Sequence, residues 1–171
     1  MIEEGGGQMS FVTARDVREK FFLELVAGKK GIERQIHTSD ISRPGLEMAG
    51  YFNFYLKDRV QLLGKTELSF FAGLTEQERQ DRMERLCSPS TPAIIVAHEM
   101  DVPVELKVAA DKTGIPVLKT DVPTTRFSGM LTNYLSGRLA PMTAMHGVLV
   151  DVYGIGILIT GKSGVGKSEI A

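Results

Sequence analysis

The octapeptide Gly161-Lys162-Ser163-Gly164-Val165-Gly166-Lys167-Ser168 follows an apolar run, Ile155-Gly156-Ile157-Leu158-Ile159-Thr160, that has the length and β-branching of a buried strand. A strand feeding a Gly-rich loop whose Lys-Ser pair opens a helix is a P-loop, and this order commits the end of the chain to an α/β arrangement. The glycines let backbone N–H groups curl around a phosphate chain with no side chain in the way. The helix beginning near Lys167 aims its unpaired N–H groups at the same phosphates. Lys167 supplies a mobile positive charge for the terminal phosphates and Ser168 a hydroxyl for Mg²⁺. No acidic residue of the Walker-B type follows before the chain stops at Ala171.

At 171 residues the chain is long enough for one domain with a sizeable core and part of a second. A net charge of −1 gives none of the basic excess that nucleic-acid binding favours. Cys87 is the single cysteine, so no intramolecular disulfide forms, and the reading is a packing residue in a reducing compartment. No apolar run reaches membrane-spanning length, and the start, Met1-Ile2-Glu3-Glu4-Gly5-Gly6-Gly7-Gln8, is acidic and Gly-rich rather than signal-like. These features predict a cytoplasmic protein that engages neither nucleic acid nor membrane.

The upstream residues also read as α/β. Thr13-Ala14-Arg15-Asp16 predicts a helix N-terminus leading into Val17, Phe21, Phe22 and Leu25 at helical spacing. A short strand is expected over 33–37, then a turn-rich loop from Thr38 closing on a short helix after Arg43-Pro44-Gly45. Val60-Gln61-Leu62-Leu63 reads as a strand, Thr66 to Ala72 as a helix, and Thr75-Glu76-Gln77-Glu78 as the capping box of a helix running toward Leu86. Ala93-Ile94-Ile95-Val96-Ala97, a helix opened at Pro103, and Ile115-Pro116-Val117-Leu118 form a βαβ crossover and hence a partly parallel sheet. Pro123 opens a helix with an apolar stripe of Phe127, Met130, Leu131, Tyr134, Leu135 and Leu139, read as the link to a second domain. The expected division is a disordered N-terminus over 1–9, an N-terminal α/β domain including that helix over 10–135, and the start of a P-loop kinase domain over 136–171. The second domain opens with two strands, about 142–152 and 155–160.

The remaining candidates are weaker. His146 sits in Met145-His146-Gly147-Val148-Leu149-Val150-Asp151-Val152, the strand before the one that feeds the P-loop. Alone, a histidine in an apolar strand reads as a hydrogen-bonded core residue. A tight Tyr153-Gly154 turn between antiparallel strands brings it toward the phosphate loop only where register allows. His37 and His98 have no partner pattern, and there is no Cys/His spacing for zinc. Arg43-Pro44-Gly45 is either an anion-binding turn or a turn whose arginine pairs with a local acid. Glu67, Glu76 and Glu78 read as solvated helix charges or caps.

Taken together, Ser39 to Leu46, Gln61 to Glu67, Ile115 to Leu118, Pro123 to Arg126, Met145 to Gly154 and the P-loop resemble the bacterial HPr kinase/phosphorylase family. The specific part is the His-Gly-Val-Leu-Val-Asp strand set just before the Gly-x-Ser-Gly-Val-Gly-Lys-Ser-Glu loop. The resemblance implies an ATP-dependent protein serine kinase that phosphorylates HPr, the phosphocarrier of the sugar phosphotransferase system, and removes that phosphate by phosphorolysis. It implies control of carbon catabolite repression and sugar uptake, with inorganic phosphate and pyrophosphate as further partners. The residues matching Gly161 to Ser168 would cradle ATP, Lys167 and His146 would be catalytic, and Ser168 would help hold Mg²⁺. The resemblance also implies an N-terminal domain related in fold to one of peptidoglycan-synthesis ligases, and a homo-hexamer. Lys162 departs from the aspartate common in the family, at a free position of the loop. The family's general base, further metal-binding acid and HPr-contacting motif would lie beyond residue 171, so the chain is expected to be inactive alone. The competing readings are a non-catalytic regulatory or interaction module and a different P-loop enzyme such as a small-molecule kinase.

Overall fold

The computed structural model describes residues 11–140, 147–153 and 155–160. The chain divides into two compact units, 1–140 and 141–171. In the first, the order is β1 (Val12–Thr13), α1 (Ala14–Phe21), β2 (Glu24–Ala27), a 3-10 turn (Lys29–Gly31), β3 (Gln35–Ile36), β4 (Ile41–Ser42) and α2 (Gly45–Met48). It continues with β5 (Val60–Leu63), α3 (Lys65–Ala72), α4 (Glu76–Leu86), β6 (Ile94–Val96), α5 (Val104–Thr113), β7 (Val117–Lys119) and α6 (Thr124–Leu139). The unit is α/β, as expected. Its main sheet has the order β2-β7-β6-β5-β4, with β4 to β7 mutually parallel and β2 antiparallel at one edge. A small antiparallel pair, β1 with β3, stands apart.

Parallel strands linked by helices are apolar on both faces because helices must cover both. Val60, Leu62 and Leu63 of β5 and Ile94, Ile95 and Val96 of β6 are fully buried. Successive residues alternate between two cores. Leu63, Ile94, Val96 and Val117 pack against Met48, Phe71, Leu86 and Leu106 from the crossover helices α2 to α5. Leu62, Ile95 and Leu118 pack against Val17 of α1 and Phe127, Leu131 and Leu135 of α6. The stripe on α6 is therefore core of the first unit. Met130, at 39% exposure, is the member of the stripe that stays on the surface.

Local chemistry sets most element ends. Thr13 caps α1 by accepting from Asp16 N–H at 3.1 Å, and the Asp16 carboxylate accepts from Thr13 N–H at 2.8 Å. Thr75 and Glu78 repeat this box at the start of α4, at 3.4 and 3.0 Å. Pro103 and Pro123 stand one residue before α5 and α6, at the cap rather than inside the first turn.

The reading of residues 14–25 as one helix is corrected. The helix stops at Phe21, Phe22 turns left-handed at φ 54 and is exposed, and Leu25 lies in β2. The spacing of Phe21 and Leu25 fits a helix, but β7 would be left with an unpaired edge. Glu24–Ala27 fills it, with Leu25 in one core and Val26 in the other. The expected strand over 33–37 is confined to Gln35–Ile36, and the turn-rich loop holds the two-residue strand β4 before α2.

One arginine ties the lower rim of the sheet together. Arg34 Nε donates to Gly114 O at 3.0 Å, Nη2 to Thr113 O at 3.2 Å, and Nη1 to Pro89 O at 2.7 Å and Thr91 O at 3.4 Å. These carbonyls end α5 and line the loop between α4 and β6, groups with no helical or strand partner of their own. Only a planar fork reaches all of them, so Arg34→Ala is expected to lower unfolding free energy by about 2–4 kcal/mol, with Arg34→Lys recovering little of it. Urea denaturation of the three proteins checks this.

Cys87 is buried at the end of α4, and burial pushes its thiol from 9.0 up to about 12. The native thiol should therefore resist iodoacetamide at pH 8 and react once the chain is unfolded. Above pH 9.0 the unfolded chain releases a proton that the folded one keeps. Stability should thus fall as pH rises from 9.0 toward about 12, a trend that weakens in Cys87→Ala, where the part above pH 10.0 that comes from the buried Tyr55 phenol remains.

Candidate functional site

In the second unit β8 (Gly147–Val152) and β9 (Ile155–Thr160) form an antiparallel hairpin. Val152 pairs with Ile155, which leaves two residues for the turn, and Tyr153 takes the left-handed conformation, φ 53, that such short hairpin loops require. The ladder runs unbroken through Val150↔Ile157 and Leu149↔Leu158 to Gly147↔Thr160. Its open end is thus formed by the covalent neighbours of His146 and Gly161. Register was the one quantity periodicity left undetermined, and this pairing supplies it for residues 147–160. The expectation that Ile155 to Thr160 is buried is corrected for Ile155 and Ile157. Both are exposed, because two strands alone cannot cover their own faces.

The sequence-predicted site residues themselves, His146 and Gly161, Lys162, Ser163, Gly164, Val165, Gly166, Lys167 and Ser168, lie outside the described residues. No group of three or more His, Cys, Asp or Glu side chains placed to hold a metal occurs among the described residues.

In the first unit, the carboxyl ends of the parallel strands gather Arg43 after β4, Gly64 after β5, His98 and Glu99 after β6, and Thr124 after β7. This is the rim where α/β sheets bind ligands. Gly64 is pressed so close to α6 that a Cβ there would sit 2.3 Å from Thr124 Oγ1. Arg43 is not a free anion binder. Its Nη2 donates to Glu67 Oε1 at 2.8 Å and Oε2 at 3.1 Å, while Glu67 Oε2 accepts from Gly64 N–H at 2.9 Å. Of the two readings of this turn, the local ion pair is the one the geometry supports.

Glu67 is therefore a cap, as one reading had it, but a buried one at 6% exposure. Helical periodicity hides such a partner. The signal lay in topology: Arg43 and Glu67 each fall just past the end of neighbouring parallel strands. His37 places its ring near that of Phe11, with centroids 6.1 Å apart. His98 and Glu99 both adopt positive φ, 67 and 55, held by N–H bonds to Val122 O and Thr120 O at 3.0 and 3.4 Å. No helix among the described residues is long and apolar enough to cross a membrane.

Residues 12–135 match the family described as HPr Serine kinase N terminus, and residues 137–171 the one described as HPr Serine kinase C-terminal domain. The chain belongs to the HPr serine kinase family. It is 60% identical over 163 residues to the HPr kinase/phosphorylase of Bacillus subtilis strain 168, covering 95% of this chain and 53% of that protein. The proteins of the same name from Bacillus velezensis and Bacillus mycoides are 58% and 60% identical, with the same coverage. The chain thus spans about half the length of the curated relatives it matches. A crystal structure of the CBS and DRTGG domains from the regulatory region of Clostridium perfringens pyrophosphatase, complexed with diadenosine tetraphosphate, aligns with a TM-score of 0.50. It does so at 14% identity over 73% of this chain and 49% of that one, which shows a shared fold.

The Arg43–Glu67 pair makes a quantitative test. Removing Arg43 strands a buried carboxylate, so Arg43→Ala should cost more in the wild-type background than in Glu67→Gln. The coupling should be about 1–2 kcal/mol, reduced from a fully buried pair because Arg43 is 43% exposed. A double-mutant cycle by thermal denaturation measures it.

Proposed function

We propose that this chain carries the N-terminal domain, over about residues 10–135, and the phosphate-binding start of the kinase domain of a bifunctional serine kinase and phosphorylase. In the forward direction the γ-phosphoryl group of ATP passes to a serine hydroxyl of HPr, leaving ADP. In the reverse direction inorganic phosphate attacks the phosphoserine phosphorus, the serine oxygen leaves and takes a proton, and pyrophosphate forms. The observation that carries this reading is the P-loop placed directly after β9, with the His146 strand paired to β9 up to Gly147↔Thr160. The names of the relatives support the substrate.

The donor set suits the ligands. Glycines at 161, 164 and 166 leave backbone N–H groups open to phosphate oxygens, and Lys167 adds a mobile cation. The hard hydroxyl oxygen of Ser168 fits Mg²⁺, which in such sites takes few protein ligands. When bound, ATP supplies the phosphoryl group and Mg²⁺ neutralises part of its charge. Lys167 stabilises negative charge on the equatorial oxygens in the transition state, and its three donors reorient as that charge shifts. Ser163 and Val165 belong to the same proposed ATP-binding motif, and Lys162 adds a charge at a position the motif leaves free. His146 lies one residue before the ladder end, where a donor or acid would serve the reacting oxygens.

Transfer also needs a positioned base and further metal-binding acids, which the resemblance puts beyond residue 171, so the 171-residue chain alone is proposed to be inactive. The whole protein is proposed to be a cytoplasmic hexamer acting in carbon catabolite repression. A second reading, in which residues 10–135 act as a non-catalytic regulatory or interaction module, is favoured by the self-contained double core of the first unit.

The two directions share one transition state, so in the full-length protein Lys167→Ala should abolish phosphorylation and phosphorolysis together. His146→Ala should lower turnover by roughly 10²–10⁴-fold with little change in unfolding midpoint. Labelled phosphate transfer to HPr and a thermal melt on the same protein decide it. A fallen midpoint with turnover per folded molecule intact would return His146 to the core.

A further inference from the structure

We draw no further inference here: the strongest candidate, the exposed apolar patch that Leu46 of α2 forms with Tyr51 and Phe54 in the loop before β5, carries none because nothing in the structure shows what covers it.

Discussion

Burial of a parallel sheet on both faces is the constraint on which the first unit depends. Parallel strands cannot be joined by tight turns, so each connection from β4 through β7 passes through one or more helices. All of those crossovers contribute to one core, which leaves the opposite face to be covered from elsewhere in the chain. That cover comes from the two ends of the unit, α1 before the sheet and α6 after it. Phe21 of α1 meets Phe127 and Tyr134 of α6 edge to face, at 5.4 and 5.5 Å, and closes the layer. The helix that sequence reading took as a link between domains thus seals the sheet.

A sheet built this way has two rims with different chemistry. At one, Arg34 collects carbonyls from the end of α5 and from the loop that leads into β6. At the other, Arg43 and Glu67 join the turns after two neighbouring strands, and Glu67 also holds the Gly64 N–H against α6. Each uses one charged side chain to satisfy several backbone or buried polar groups that the close packing has cut off from water. The carboxyl-end rim, where a ligand would be looked for by analogy with other α/β sheets, is thereby occupied by internal bonds. The open surface lies instead on the crossover helices.

The second unit poses a different problem. A β-hairpin exposes Leu149, Ile155 and Ile157 when taken by itself. What the hairpin fixes is register: Gly147 pairs with Thr160, so the two strands lie side by side and finish level at one end of the ladder. In the proposed reaction this matters more than local burial, because phosphoryl transfer is catalysed by placing charge rather than by covalent chemistry.

Sequence alone determined whatever depends on neighbours a few residues apart. The capping boxes at Thr13 and Thr75 were legible because a hydroxyl and a carboxylate three residues on satisfy each other without outside help. The strands at 60–63 and 94–96 were legible because burial on both faces demands unbroken apolar runs. The P-loop and the family resemblance were likewise written in contiguous residues. Tertiary structure decided what depends on meeting a distant segment. The edge of β7 ended α1 at Phe21 and drew Leu25 into a strand, against its helical spacing. The adjacency of β4 and β5 brought Arg43 to Glu67 and turned an apparent surface charge into a buried anchor. Such pairings carry no local signature, since the free energy that fixes them comes from surfaces that exist only once the sheet has formed.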